Sequence, residues 1–175
     1  MFEIFDEAGV RCGTAPREDA HRLGLWHRAS NVFLFCPDGL LLIQRRQMTK
    51  DVLPGAWDLS VAEHLQPGES FEAGAARGLR EELGVLVTDL EPLGSIVKFR
   101  LEIERLGIKD YEFQQTFRAS FDGAVSPAVD EVMETRCIAV SELAAKFGER
   151  PEKFTPWLHQ RAEELGILDT KAYVS

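Results

Sequence analysis

The chain has 175 residues, 45% of them apolar, and a formal net charge of −9. This length supports one domain with its own core, and the acidic balance argues against a nucleic-acid backbone or an anionic membrane surface as the main partner. No run of about 18 apolar residues predicts a membrane-spanning helix, and the acidic start MFEIFDEAG lacks the basic region of a secretory signal, so a cytoplasmic protein is expected.

Taken in order, FEIFDEAGVR alternates and breaks at Gly9, which predicts a short strand and turn. Arg17 to Leu25 reads as a short helix, since Pro16 suits its first turn. His21 and His27 flank Trp26 and read first as structural hydrogen-bonding residues. NVFLFC, Asn31 to Cys36, is a continuous apolar run and predicts a buried strand. Pro37-Asp38-Gly39 turns the chain, and Leu40 to Arg46 returns as the partner strand. Arg45 and Arg46 then point to opposite faces, so at most one of them serves a common site. Asp51 to Ala56 is a loop, and Trp57 to His64 reads as one strand. Further strands are expected at Val85 to Val87, Leu93 to Leu101, Tyr111 to Phe121 and Arg136 to Val140. Ser126 to Met133 is a loop that carries the carboxylates Asp130 and Glu131. Ser141 is the expected cap of a following helix, and Pro151 to Leu165 contains a last amphipathic helix. Cys12, Cys36 and Cys137 show no metal-ligand spacing and no disulfide framework, so reduced thiols are expected. Strands interspersed with helices predict a mixed α/β fold.

One stretch is unusual, Glu63 to Val85, EHLQPGESFEAGAARGLREELGV. Gln66-Pro67-Gly68-Glu69 forms a turn. Ser70 is placed as an N-cap, with Glu72 in the first helical turn. Phe71, Ala75, Leu79 and Leu83 recur at helical spacing, and Gly84 stands where a left-handed C-terminal residue is needed. Gly78, Glu81 and Glu82 share one helix face, with Arg77 one turn before Glu81.

The stretch resembles the Nudix box. Glu69, Arg77, Leu79, Glu81, Glu82, Gly84 and Val85 fall in its register, whereas Glu63 replaces the opening Gly and Gly78 replaces the Glu that follows the Arg. The resemblance implies an α/β/α sandwich with a mixed sheet, a single domain over residues 1–175 and a box at 63–85. It also implies Mg²⁺ or Mn²⁺ as cofactor, because oxygen ligands suit such ions. In the family the carboxylate at Gly78 is usually a metal ligand, together with the one at Glu82. Glu63 is expected to restore the missing charge, which gives Glu63, Glu81 and Glu82 as the metal-site set. Glu69 would support the helix start, and Arg77 would orient the carboxylates.

Beyond the box, FDEAGVRCG, Arg17, His21, His27-Arg28, the QRR run with Lys50, and PGAWDLSVAEH are similar to the isopentenyl-diphosphate-isomerase-like branch of Nudix proteins. That branch implies Arg46 and Lys50 as holders of the substrate diphosphate. It also implies a second metal site at His27 and His64, with acids near Asp110 and Glu112. Its isomerases place a cysteine two residues before the histidine matching His64, but here Ala62 stands there and carries no titratable proton. Three functions follow as expectations. The first is metal-dependent hydrolysis of a diphosphate linkage in a nucleoside diphosphate derivative or related small pyrophosphate. In it Glu81 and Glu82 act with the metal and Glu112 or Glu131 is the general base. The second is a non-catalytic nucleotide or diphosphate sensor. The third, disfavoured by Ala62, is isopentenyl-diphosphate isomerase. The partner in each case is a small-molecule diphosphate, with a homodimer left open.

Overall fold

The computed structural model describes residues 1–168, and these form nine strands and four helices. The strands are β1 (Phe2–Phe5), β2 (Arg11–Ala15), β3 (His27–Phe35), β4 (Leu41–Arg46), β5 (Trp57–Asp58), β6 (Val61–His64), β7 (Glu91–Ile103), β8 (Ile108–Ser120) and β9 (Val132–Ile138). The helices are α1 (Arg17–Leu23), α2 (Phe71–Leu83), α3 (Val140–Glu149) and α4 (Pro156–Glu164). β1 and β2 make a small antiparallel ribbon, while the main sheet runs β5-β4-β3-β8-β7, with β6 on β3 and β9 on β4. β3 and β8 are parallel and the other pairs antiparallel, so the sheet is mixed.

The run at β3 is apolar on consecutive residues because both faces of the sheet are covered. Val32 and Leu34 pack with Leu79 and Leu83 of α2, whereas Phe33 and Phe35 pack with Leu143, Phe147 and Leu158 of α3 and α4. The result is an α/β/α sandwich. α2 begins and ends as its residues dictate: Ser70 Oγ accepts from Ala73 N at 3.1 Å, and Gly84 adopts φ +66°.

Four local expectations are corrected. Trp57 to His64 is not one strand, because the chain crosses from β4 to β3 in the middle. There Ser60 Oγ donates to Leu42 O at 2.5 Å and accepts from Leu34 N at 2.8 Å, bridging the two. Val85 to Val87 forms no strand, since Val85 N is used by the helix end, bonding Leu79 O at 3.0 Å. Ser141 is not the cap of α3; Ala139 precedes the helix and no side chain caps it. Cys36 and Cys137 are joined by a disulfide across 101 residues, leaving Cys12 as the free cysteine. That pairing depends on β9 lying against β4, with Cys137 opposite Leu42, which local spacing does not reveal. No helix among the described residues is long and apolar enough to cross a membrane.

Candidate functional site

The sheet opens where β3 exchanges partners, from β4 at Leu34 and Phe35 to β6 at Ala29 to Val32. A cavity of about 450 Å³ lies there, lined from β3, β4, β6, β8, the C-terminal end of α2 and the loop after β4. Alternation along β4 sends Arg45 and Arg46 to opposite faces, and the β4–β9 register shifts between them. Arg46 lines the cavity, and Arg45 turns away to Glu134 at 2.9 Å.

A histidine cluster borders the cavity through His64 and Asp110. His21 from α1, His27 from β3, His64 from β6 and Asp110 from β8 bring one ligand atom each within 4.8 Å of one another. His27 Nδ1 lies 2.9 Å from Leu25 O, so this nitrogen carries the hydrogen and Nε2 is left as an acceptor facing the cluster. His27 Nε2 and His21 Nε2 lie 3.2 and 3.5 Å from Asp110 Oδ1. Neither contact is aligned as a hydrogen bond, and all three imidazole Nε2 atoms and Asp110 Oδ1 are buried without a partner. Phe2 stacks on His27 and His64 and roofs the cluster. Burial lowers the His21 pKa to about 4 and, with repulsion from His27, lowers that of His64 to about 3, so both rings are neutral near pH 7. Burial opposes a charge on His27 too, but Asp110 and Glu112 outweigh it and its pKa is raised. Converging unpartnered imidazoles with one carboxylate are a donor set that fits a divalent cation.

Glu112, also on β8, stands beside this cluster. Its Oε1 is 2.9 Å from His64 Nε2, and its Oε2 accepts from Gln114 Nε2 at 2.6 Å. Burial raises its pKa, with His27 opposing. At the cationic wall Arg46 is fixed by Asp58 Oδ2 at 2.8 Å and Val52 O at 3.1 Å, with its guanidinium over Trp157. Asp58 in turn accepts from Thr155 Oγ1 and Trp157 Nε1. Lys50 pairs with Glu131, and its pKa is lowered by burial. Arg17 completes the wall.

The box residues lie along the α2 side of the cavity. Arg77 is their hub: its Nε and Nη2 bind Glu69 at 2.9 Å each, Nη2 binds His64 O at 2.8 Å, and Nη1 reaches Glu81 at 3.2 Å and Glu63 at 3.3 Å. Glu82 accepts from Gln44 Nε2 at 2.7 Å, and burial raises its pKa to about 8. Glu63, Glu81 and Glu82 all line the cavity, but among the described residues they do not converge as the histidine cluster does. Gly78 lies against β6, and a Cβ there would meet Val61 Cγ1 at 2.5 Å and Glu63 Cβ at 3.0 Å.

Of the residues singled out in the sequence, Arg46, Lys50, Glu63, His64, Glu81, Glu82, Glu112 and Glu131 therefore border one cavity. His27 adjoins it, while Glu69 and Arg77 brace the wall. His21, expected as a structural residue and part of the branch resemblance, joins the cluster, and Asn31, Gln44 and Gln114 also line the cavity. A polar residue inside an apolar strand, as Asn31 is in NVFLF, was the signal available.

A Nudix (NUDIX domain) family model matches residues 25–158. An isopentenyl-diphosphate Delta-isomerase of Nocardia farcinica is 37% identical over 168 residues, 95% of this chain and 93% of that protein. One of Streptomyces griseus is 37% identical over 158 residues, 90% of this chain and 79% of that protein. Among solved structures, DR0079 from Deinococcus radiodurans superposes with a TM-score of 0.73 at 22% identity, covering 94% of this chain and 98% of that one. The chain belongs to the Nudix family, in its isopentenyl-diphosphate-isomerase-like branch. The expectation of a diphosphate hydrolase is corrected by these findings: the relatives that span almost the whole chain are named as isomerases.

Proposed function

We propose that the protein is an isomerase that moves a double bond in a short alkenyl diphosphate. The observation that carries this is one cavity holding a buried carboxyl, Glu112, beside an unpartnered His/Asp cluster at one end and fixed cations at the other. Arg46, Lys50 and Arg17 bind the diphosphate; an arginine already anchored by Asp58 loses little freedom in doing so. His21, His27, His64 and Asp110 would hold a divalent cation, Mg²⁺ or Mn²⁺, which when bound supplies positive charge beside the reacting carboxyl.

Bond migration adds one proton to a terminal alkene carbon and removes one from the carbon on the other side. In the metal-free protein burial raises the Glu112 pKa, and in its protonated form the carboxyl would deliver the first proton. Once ionised, the same carboxylate takes a proton back when both carbons lie on one face. This answers the objection raised by Ala62, because a single carboxyl, placed within reach, serves as both acid and base. Gln114 holds one of its oxygens in place, and the other faces the His64 ring.

The test is double-bond migration in isopentenyl diphosphate and related short alkenyl diphosphates, followed by proton NMR with Mg²⁺ or Mn²⁺. Glu112→Gln should lower the rate at least about 100-fold, as loss of a general acid–base group does. No migration in any substrate with the wild-type protein refutes the proposal.

A further inference from the structure

Resting on that reading, we propose that the organic group of the substrate carries a hydroxyl, seated among Asn31, Gln44 and Gln114. These side chains line the same cavity as Glu112 and Arg46. They are 1%, 4% and 1% exposed, and each keeps one polar atom without a hydrogen-bond partner: Asn31 Nδ2, Gln44 Oε1 and Gln114 Oε1.

The orientation of two of the amides is set by their neighbours. Gln44 gives its Nε2 to Glu82 and Gln114 gives its Nε2 to Glu112. Their carbonyl oxygens are therefore the ends without a partner. Asn31 sits between β6 and β8, opposite Ala62 and Thr116, and offers a donor. A hydroxyl both donates and accepts, so it satisfies the Asn31 amide and one of the glutamine oxygens together. A purely hydrocarbon tail leaves all three unpaired after desolvation, which buried polar groups tolerate poorly. Ala29 and Ala62 are the small side chains of the same lining. Sites that hydrogen-bond a substrate hydroxyl discriminate steeply against the analogue without it.

The experiment is titration calorimetry on the wild-type protein with Mg²⁺, using three ligands: a five-carbon alkenyl diphosphate with a terminal hydroxyl, isopentenyl diphosphate, and inorganic diphosphate. The hydroxylated compound should bind at least about tenfold tighter than isopentenyl diphosphate, as one net hydrogen bond gives. Asn31→Leu should reduce that ratio toward one while leaving inorganic diphosphate affinity within about twofold. Equal or tighter binding of isopentenyl diphosphate by the wild type overturns the inference and leaves the isomerase reading standing. Failure of all three ligands to bind overturns both. The wild-type panel decides the matter even if Asn31→Leu does not fold.

Discussion

Gly78 is the departure from the box that the structure explains most directly, and replacing it gives a quantitative test. An alanine at 78 improves intrinsic helix propensity by about 1 kcal/mol. Its Cβ, however, would sit 2.5 Å from Val61 Cγ1 and 3.0 Å from Glu63 Cβ. Val61 is fully buried between α2 and the sheet, so it has no solvent to retreat into. Overpacking of that kind costs typically about 1–3 kcal/mol. The net expectation is a loss of up to about 2 kcal/mol, or up to roughly 8 °C in Tm for a chain of this size. Urea unfolding of wild type, Gly78→Ala, Val61→Ala and the double variant measures it. Val61→Ala alone destabilises, but the double variant should lose less than the two singles summed, because the cavity of one receives the methyl of the other. Gly78→Ala more stable than wild type, with strictly additive singles, would refute the claim that a close helix–strand approach excludes a side chain at this position.

Three further outcomes are expected. In chelator-treated protein, Glu82 carries a pKa raised to about 8 by burial, above its unfolded value of 4.5. The folded state therefore holds its proton longer, and the stability this gives is present below about pH 4.5 and lost as pH rises through about 8; Glu82→Gln should flatten that decline in thermal melts from pH 5 to 9. Asp110→Asn should weaken Mn²⁺ binding at least about tenfold by calorimetry, since it removes the one carboxylate of the histidine cluster, and unchanged affinity would place the ion elsewhere. Cys137→Ser should cost roughly 2–4 kcal/mol in urea unfolding, because it reopens the loop closed between residues 36 and 137, and thiol titration of the native wild type should find Cys12 alone.

Much of the scaffold was legible because it is written in short periods. The stripe Phe71, Ala75, Leu79, Leu83 with Ser70 and Gly84 placed α2 to the residue, and the run NVFLF marked a strand covered on both faces. The opposition of Arg45 and Arg46 followed from strand alternation. What could not be read locally were events between distant segments. The break of Trp57 to His64 depends on Ser60 bridging β3 and β4, and the disulfide depends on β9 reaching β4. The cluster of His21, His27, His64 and Asp110 is drawn from four elements that only the tertiary fold brings together. The functional expectation went astray for a related reason: the box motif is local and conspicuous, while the residues of the proposed isomerase site are scattered over β3, β6 and β8.

The arrangement around Arg77 shows what the box residues do for the fold. Glu63, Glu69 and Glu81 all turn to this one guanidinium, and Arg77 also takes the carbonyl of His64. One side chain thus ties the turn before α2, the helix itself and the end of β6 into a fixed unit. Side-chain exposure of Arg77 is 12%, so these bonds are shielded more than surface pairs. The unit holds His64 at the position where its ring meets Glu112 and the other histidines. Gly78 belongs to the same construction, since it lets α2 settle onto Val61 and Glu63. Through Arg77 the acidic helix braces β6, while its Glu81 and Glu82 line the same cavity as Glu112 of β8.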